Sequence, residues 1–305
     1  MTKAADDYGT VGVLSENSVN GIKTADIVGD NSEIDFNSIQ DKIPDYTSLG
    51  ISSDFMFGKI MSDPEIARVF LEQILSLKID HVEILERQKD IDEKPDAHSV
   101  RLDIYVDDGR TVYDCEMQTT GKLELRKRSR YYQSQIDMSL LKHGVYYTKL
   151  KTSYVIFICT FDLFDQGRYI YRFENICTDN YELKLGDGAI KVFVNTKGTV
   201  GDVSEEFMEL MHFLDTSEIK EYKNQLVNEM ASELEKARSN TEWRKDYMSI
   251  ELLRFESREE GREEGREEGR TDAILKMLKK GLKVPFISEC LEVPQNIVAA
   301  IAAGM

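Results

Sequence analysis

The chain predicts an α/β (α+β) fold, a mixed sheet flanked by helices and followed by a helical C-terminal extension. Three stretches carry that prediction. Val100–Gln118 alternates apolar and polar residues around an Asp-Gly pair, the signature of an antiparallel hairpin. Ser153–Thr160, SYVIFICT, is a continuous β-branched and aromatic run, as in a central strand covered on both faces. From Ser204 onward the apolar residues recur at helical spacing among many charges.

Residues 1–43 are rich in Asp, Asn, Ser, Gly and Thr, cannot support a core of their own, and read as a disordered leader. Ser52-Ser53-Asp54 caps an apolar helical turn that begins Phe55-Met56-Phe57. Asp63-Pro64-Glu65 opens a second helix, whose Ile66, Val69, Phe70 and Ile74 recur at three and four. His81–Lys89 reads as the first strand, and the polar segment Asp90–Ser99 as a loop.

The hairpin then fixes a register. With Asp108 and Gly109 as the loop, Asp107 faces Arg110, Tyr105 faces Val112, Asp103 faces Asp114 and Arg101 faces Glu116. Period-two alternation puts Arg101, Asp103 and Tyr105 on one face with Val112, Asp114, Glu116 and Gln118. Asp103 and Glu116 become diagonal neighbours about 7 Å apart, near enough to hold one divalent cation. The alternative is that these acids only line the solvated side of a hairpin. Either Arg101 or a metal would offset their mutual repulsion.

Beyond the hairpin, Leu123–Leu141 is a basic helix with Leu125, Ser129, Tyr132, Ile136 and Leu140 toward one face. Arg128, Tyr131 and Gln135 follow along one flank. Between Lys122 and Lys151 eight Lys or Arg residues face two acids, an electropositive island in a chain of formal charge −17. Arg168–Phe173 and Ile190–Asn195 add two strands, with Asp187-Gly188 as a turn between Tyr181–Leu185 and the latter. The core order is αβββαβ, over 44–200. Residues 201–257 form a helical extension. Arg-Glu-Glu-Gly repeats over 258–270 make a marginal helix or hinge, because Gly costs roughly 1 kcal/mol against Ala in a helix. Residues 271–305 form a small helical tail.

Composition sets limits. The four cysteines, Cys115, Cys159, Cys177 and Cys290, are widely spaced without a Cys-x-x-Cys, which argues against zinc or a disulfide framework. No apolar run is long enough for a membrane span and MTKAADDYGTVGV is no signal peptide, so the expected address is the cytoplasm.

Arg101-Leu102-Asp103-Ile104, the turn, Tyr113-Asp114-Cys115-Glu116-Met117-Gln118 and the basic Arg128-Ser129-Arg130-Tyr131-Tyr132 resemble the PD-(D/E)XK nuclease family transposases, also called recombination-promoting nucleases. The likeness runs from about Asp54 to Asn195 and resumes in the tail. It implies a restriction-endonuclease-like core and a Mg²⁺-dependent (or Mn²⁺-dependent) DNA endonuclease of the bacterial cytoplasm. Asp103, Glu116 and the Met117 carbonyl would hold the metal, with Glu116, Asp103 and Gln118 catalytic. Asp54, in the family's Asp-Phe-x-Phe opening, would add a ligand or else serve as a helix N-cap. Arg128, Tyr132 and Gln135 would touch DNA or else form a basic solvated surface. The sequence departs from the family at two places: Leu102 rather than Pro precedes Asp103, and Gln118 stands where Lys is usual. A nuclease fold without activity, binding DNA or protein, is the alternative. The tail resembles a helix-turn-helix-like unit, suited to DNA or to self-association through the C-terminal helices.

Overall fold

The computed structural model describes residues 43–91, 100–121, 123–141 and 144–304, with the backbone alone over 84–91 and 100–103. The leader read over residues 1–43 lies almost wholly outside that range, as do the Pro95-Asp96 loop, Lys122 and Lys142. The described chain divides into two compact units, Pro44–Ser249 and Ile250–Met305.

In the first unit, α1 (Asp54–Ile60) and α2 (Pro64–Leu75) precede β1 (Glu83–Ile91), β2 (Val100–Asp107) and β3 (Thr111–Gln118). Next come α3 (Leu125–Leu140), β4 (Thr152–Cys159), β5 (Ile170–Phe173), β6 (Ile176–Cys177), β7 (Asn180–Lys184) and β8 (Ala189–Asn195). The main sheet has the order β1-β2-β3-β4-β8-β5, and β6 pairs with β7 apart from it. β1, β2 and β3 are antiparallel neighbours, while β3, β4 and β8 run parallel and β5 closes the edge antiparallel to β8. This is the mixed sheet and αβββαβ order the pattern called for, consistent with a restriction-endonuclease-like fold.

The apolar run at β4 is central, and Val155, Ile156, Phe157 and Ile158 are wholly buried. One sheet face packs Tyr105, Val112, Val155, Phe157 and Phe193 against Leu125, Tyr132 and Ile136 of α3. The other buries Ile104, Cys115, Met117, Ile156 and Ile158, and α1 packs against β2 and β3. Cys159 is buried, and burial pushes its thiol up to about 12, so it is a packing residue.

The hairpin departs from the expected register by two residues. The observed partners are Tyr105 with Asp114 and Asp107 with Val112. The cause is the Asp108 carboxylate, whose Oδ1 accepts from Arg110 N at 2.9 Å and Thr111 N at 2.6 Å, while Oδ2 accepts from the Tyr113 hydroxyl at 2.8 Å. Asp108 therefore closes the turn from its flank, paired with Thr111 through a 3.0 Å backbone bond. The loop is Gly109-Arg110, with glycine at φ +90. A shift of two preserves the alternation, so the side chains keep the faces assigned to them.

Helices α4 (Glu205–Thr216) and α5 (Gln225–Ser239) belong to the same compact unit instead of standing apart from it. α5 packs on α1, α2 and α4. The Tyr46 hydroxyl donates to Ala237 O at 2.6 Å, Arg238 Nε to Leu49 O at 2.9 Å, and the Gln73 and Asn224 amides exchange bonds at 3.2 and 2.9 Å.

Helix α6 (Thr241–Lys279) runs from the first unit into the second, and the Arg-Glu-Glu-Gly repeat is helical throughout. Arg266 pairs with Glu263 at 3.0 Å and Arg262 with Glu259 at 3.6 Å, the three-residue pairing that the repeat supplies. In the second unit α7 (Val284–Leu291) and α8 (Gln295–Ala303) close a small core of Ile274, Ile287, Val293 and Val298. Among the described residues no helix is long and apolar enough to cross a membrane.

Candidate functional site

Strand β3 presents Val112, Asp114, Glu116 and Gln118 toward α3, because its neighbours in the parallel ladder, Val155, Phe157 and Cys159, belong to the α3-facing core. Asp114 is 0% exposed and Glu116 is 1% exposed. Burial at that level removes the solvated-hairpin alternative for these two acids. A carboxylate taken out of water has to be paired or to hold a cation.

Glu116 is met by α3. Arg128 Nη2 donates to Glu116 Oε2 at 3.1 Å, and Nη1 reaches Gln118 Oε1 at 3.4 Å. The same guanidinium donates to the Tyr132 hydroxyl through Nε at 2.9 Å and Nη2 at 2.6 Å. Its carbon stands 4.8 Å from the Tyr132 ring centroid and 5.8 Å from that of Phe157. Burial, and then the charge of Glu116, pushes the Tyr132 phenol well above its ordinary value. Burial likewise raises Tyr105 to about 12, with the negative charges of Asp107 and Asp114 adding to it.

The expected site residues fall as follows. Glu116, Gln118, Arg128 and Tyr132 come together. Met117 is buried, with its side chain on the opposite face of β3 from Glu116. Asp103 belongs to β2, but its side chain lies outside the described residues. The partners of β2 and β3 run from Asp107 with Val112 to Ile104 with Cys115, so Asp103 and Glu116 each lie one residue beyond the last pair. Asp54 is the first residue of α1, exposed, and Ser53 occupies the N-cap that the alternative reading gave to Asp54.

Gln135 was expected along one flank of α3 with Arg128 and Tyr131, either touching DNA or forming a basic solvated surface. It is only 8% exposed, and its Oε1 is buried with no hydrogen-bond partner among the described residues. Tyr132, rather than Tyr131, is the aromatic residue that meets Arg128. Part of the basic island is engaged within the protein. Arg128 is held by Glu116, Arg126 Nη2 donates to Leu163 O at 2.8 Å, and Lys151 pairs with Asp107 at 2.5 Å. Lys127, Arg130 and Lys149 are exposed.

Sequence reasoning missed the standing of Asp114. The alternation with Glu116 placed it on the right face, but nothing local told that α3 would bury it. The Arg128–Glu116 pair joins residues of two elements and had no local signal at all.

A family model described as PD-(D/E)XK nuclease family transposase matches residues 52–279. The chain belongs to this family, and the family's type of function is that of a nuclease. No curated protein and no solved structure matches the chain.

Nucleases of this family typically use divalent metals. Among the described residues no three His, Cys, Asp or Glu side chains gather as a metal site. The donor set is nonetheless of the right kind. Asp114 and Glu116 are buried oxygen donors next to a strand that carries a third acid, with no described His or Cys among them, and such hard oxygen sets suit Mg²⁺ or Mn²⁺.

Proposed function

We propose that the chain is a metal-dependent DNA endonuclease in which Asp103, Glu116 and the Met117 carbonyl hold a divalent cation, with Asp54 as a further acidic ligand from α1. The observation that carries this reading is the near-complete burial of Glu116 beneath a basic helix, on the strand face that the family's Asp, hairpin, Glu-Met-Gln series shares. A divalent cation bound there supplies positive charge toward a scissile phosphate.

The chain's own groups do the rest. Gln118 can orient a water through its carbonyl oxygen but takes no proton near neutral pH. Tyr132 stays a neutral hydroxyl, and Gln135 offers an amide within the same helix face. Arg128, Lys127 and Arg130 supply positive charge for the DNA backbone.

A second reading rests on Gln118. Without a lysine at that position, the fold can serve as an inactive DNA-binding or protein-interaction module, with the C-terminal helices available for self-association. Plasmid relaxation with and without Mg²⁺ or Mn²⁺ separates the two. The endonuclease reading expects nicking only with metal, and a calorimetric metal site that Glu116→Gln weakens. Absence of both in wild-type protein leaves the module.

A further inference from the structure

The Arg128 guanidinium is held more tightly than a surface arginine on a nucleic-acid-binding helix requires. It is gripped by Glu116, Gln118 and the Tyr132 hydroxyl, and it lies on the faces of two aromatic rings. Its side chain is 32% exposed against 2% for Glu116, so Arg128 stands between a buried carboxylate and the surface. A rotamer-rich side chain is thereby pre-set at the border of the site, within reach of an incoming oxyanion if it turns from Glu116.

Two physical consequences follow from that position. Gln118 is uncharged, and Arg128 places a permanent cation against it and against Glu116. An arginine does not deprotonate in proteins, so it can stabilise charge building on a phosphate but cannot act as a base. The same cation also opposes any divalent ion that uses Glu116, because like charges a few ångströms apart repel strongly away from bulk water.

We propose that Arg128 supplies the site's cation in place of strand residue 118, and that its bond to Glu116 restrains metal loading until the guanidinium turns to the DNA phosphate. This rests on the endonuclease reading and adds to it a catalytic residue and an order of events. The metal and the substrate are coupled: DNA draws Arg128 from Glu116 and so tightens metal binding.

The test uses the full-length protein, Mn²⁺ titrations by calorimetry, and nicking of supercoiled plasmid. Arg128→Gln should bind Mn²⁺ about tenfold more tightly than wild type while nicking falls about a hundredfold or more. A merely structural loss would weaken both. The double variant Arg128→Gln/Gln118→Lys, which returns a cation to the strand, should regain at least a tenth of wild-type nicking. Arg128→Lys, which keeps the charge without the fork, should bind Mn²⁺ as wild type does. Wild type that binds and cuts while Arg128→Gln has unchanged or weaker Mn²⁺ affinity, or nicks within twofold of wild type, overturns this proposal alone. Wild type that neither binds Mn²⁺ nor nicks overturns the endonuclease reading, and this proposal with it.

Discussion

Removing one oxygen tests the packing on which the site depends. In Tyr132→Phe the ring stays, with its 4.8 Å contact to the Arg128 guanidinium, but the hydroxyl that accepts at 2.9 and 2.6 Å is gone. Hydrogen bonds from a charged donor are worth about 1.5–3 kcal/mol each. Arg128 keeps Glu116 and its side chain is 32% exposed, so the net cost should be toward the lower figure, about 1–2 kcal/mol. In a unit of this size that lowers the melting temperature by about 2–8 °C, read by circular dichroism at pH 7.

The pH dependence has a definite sign. Burial, followed by the Glu116 charge, raises the folded-state phenol above its ordinary value of 10.0. A group raised on folding lends stability that is complete below its unfolded value and is lost as pH climbs toward the folded one. The wild-type advantage over Tyr132→Phe should therefore be flat from pH 6 to about 9.5 and shrink above about 10. A variant that melts within 1 °C of wild type at pH 7, or a gap that widens above pH 10, would refute the reasoning.

Other expectations follow from particular residues. Gly109→Ala places a side chain at φ +90 with open space around it, so it should cost about 1 kcal/mol of backbone strain in urea unfolding, and Asp108→Ala about 2 kcal/mol for its lost acceptors. Asp162 is raised by burial but drawn down further by Phe164 N, the Tyr171 hydroxyl and Gly167 N, for a net lowering below 3.8. Wild type should thus lose stability relative to Asp162→Asn as pH falls below about 3.8, and equal acid sensitivity would remove that role. Replacing Gly261, Gly265 and Gly269 with Ala, where an added Cβ meets nothing within 4 Å, should strengthen α6 by about 1 kcal/mol per site and raise its helical signal on heating. Unchanged helicity would count against it.

What was legible in the sequence was what depends on neighbours along the chain. Period-two alternation assigned the faces of β2 and β3, and a continuous apolar run marked β4 as central. Capping residues opened α2 at Asp63, whose Oδ1 accepts from Glu65 N and Ile66 N. The register was not legible, because an Asp-Gly pair signals a turn without saying whether the aspartate sits in the loop or beside it. Asp108 sits beside it and turns its carboxylate on the following amides.

The rest depended on contacts between distant residues. Periodicity gives an amphipathic helix an inner side but not its rotation to within one residue, so Gln135 was placed along one flank with Arg128 and Tyr131, whereas it is buried. The helices over 201–257 were read as a helical extension following the sheet. Their docking relies on pairs such as Tyr46 with Ala237 and Gln73 with Asn224, which no local pattern reveals.

The central claim is that two acids on adjoining strands share one ion, and the most direct measurement is nicking of supercoiled plasmid by purified, folded Asp103→Ala protein in Mg²⁺. Wild type should convert the plasmid to open circles and the variant should leave it supercoiled at an unchanged melting temperature or a higher one. Metal-dependent nicking by the variant at the wild-type rate would contradict the account.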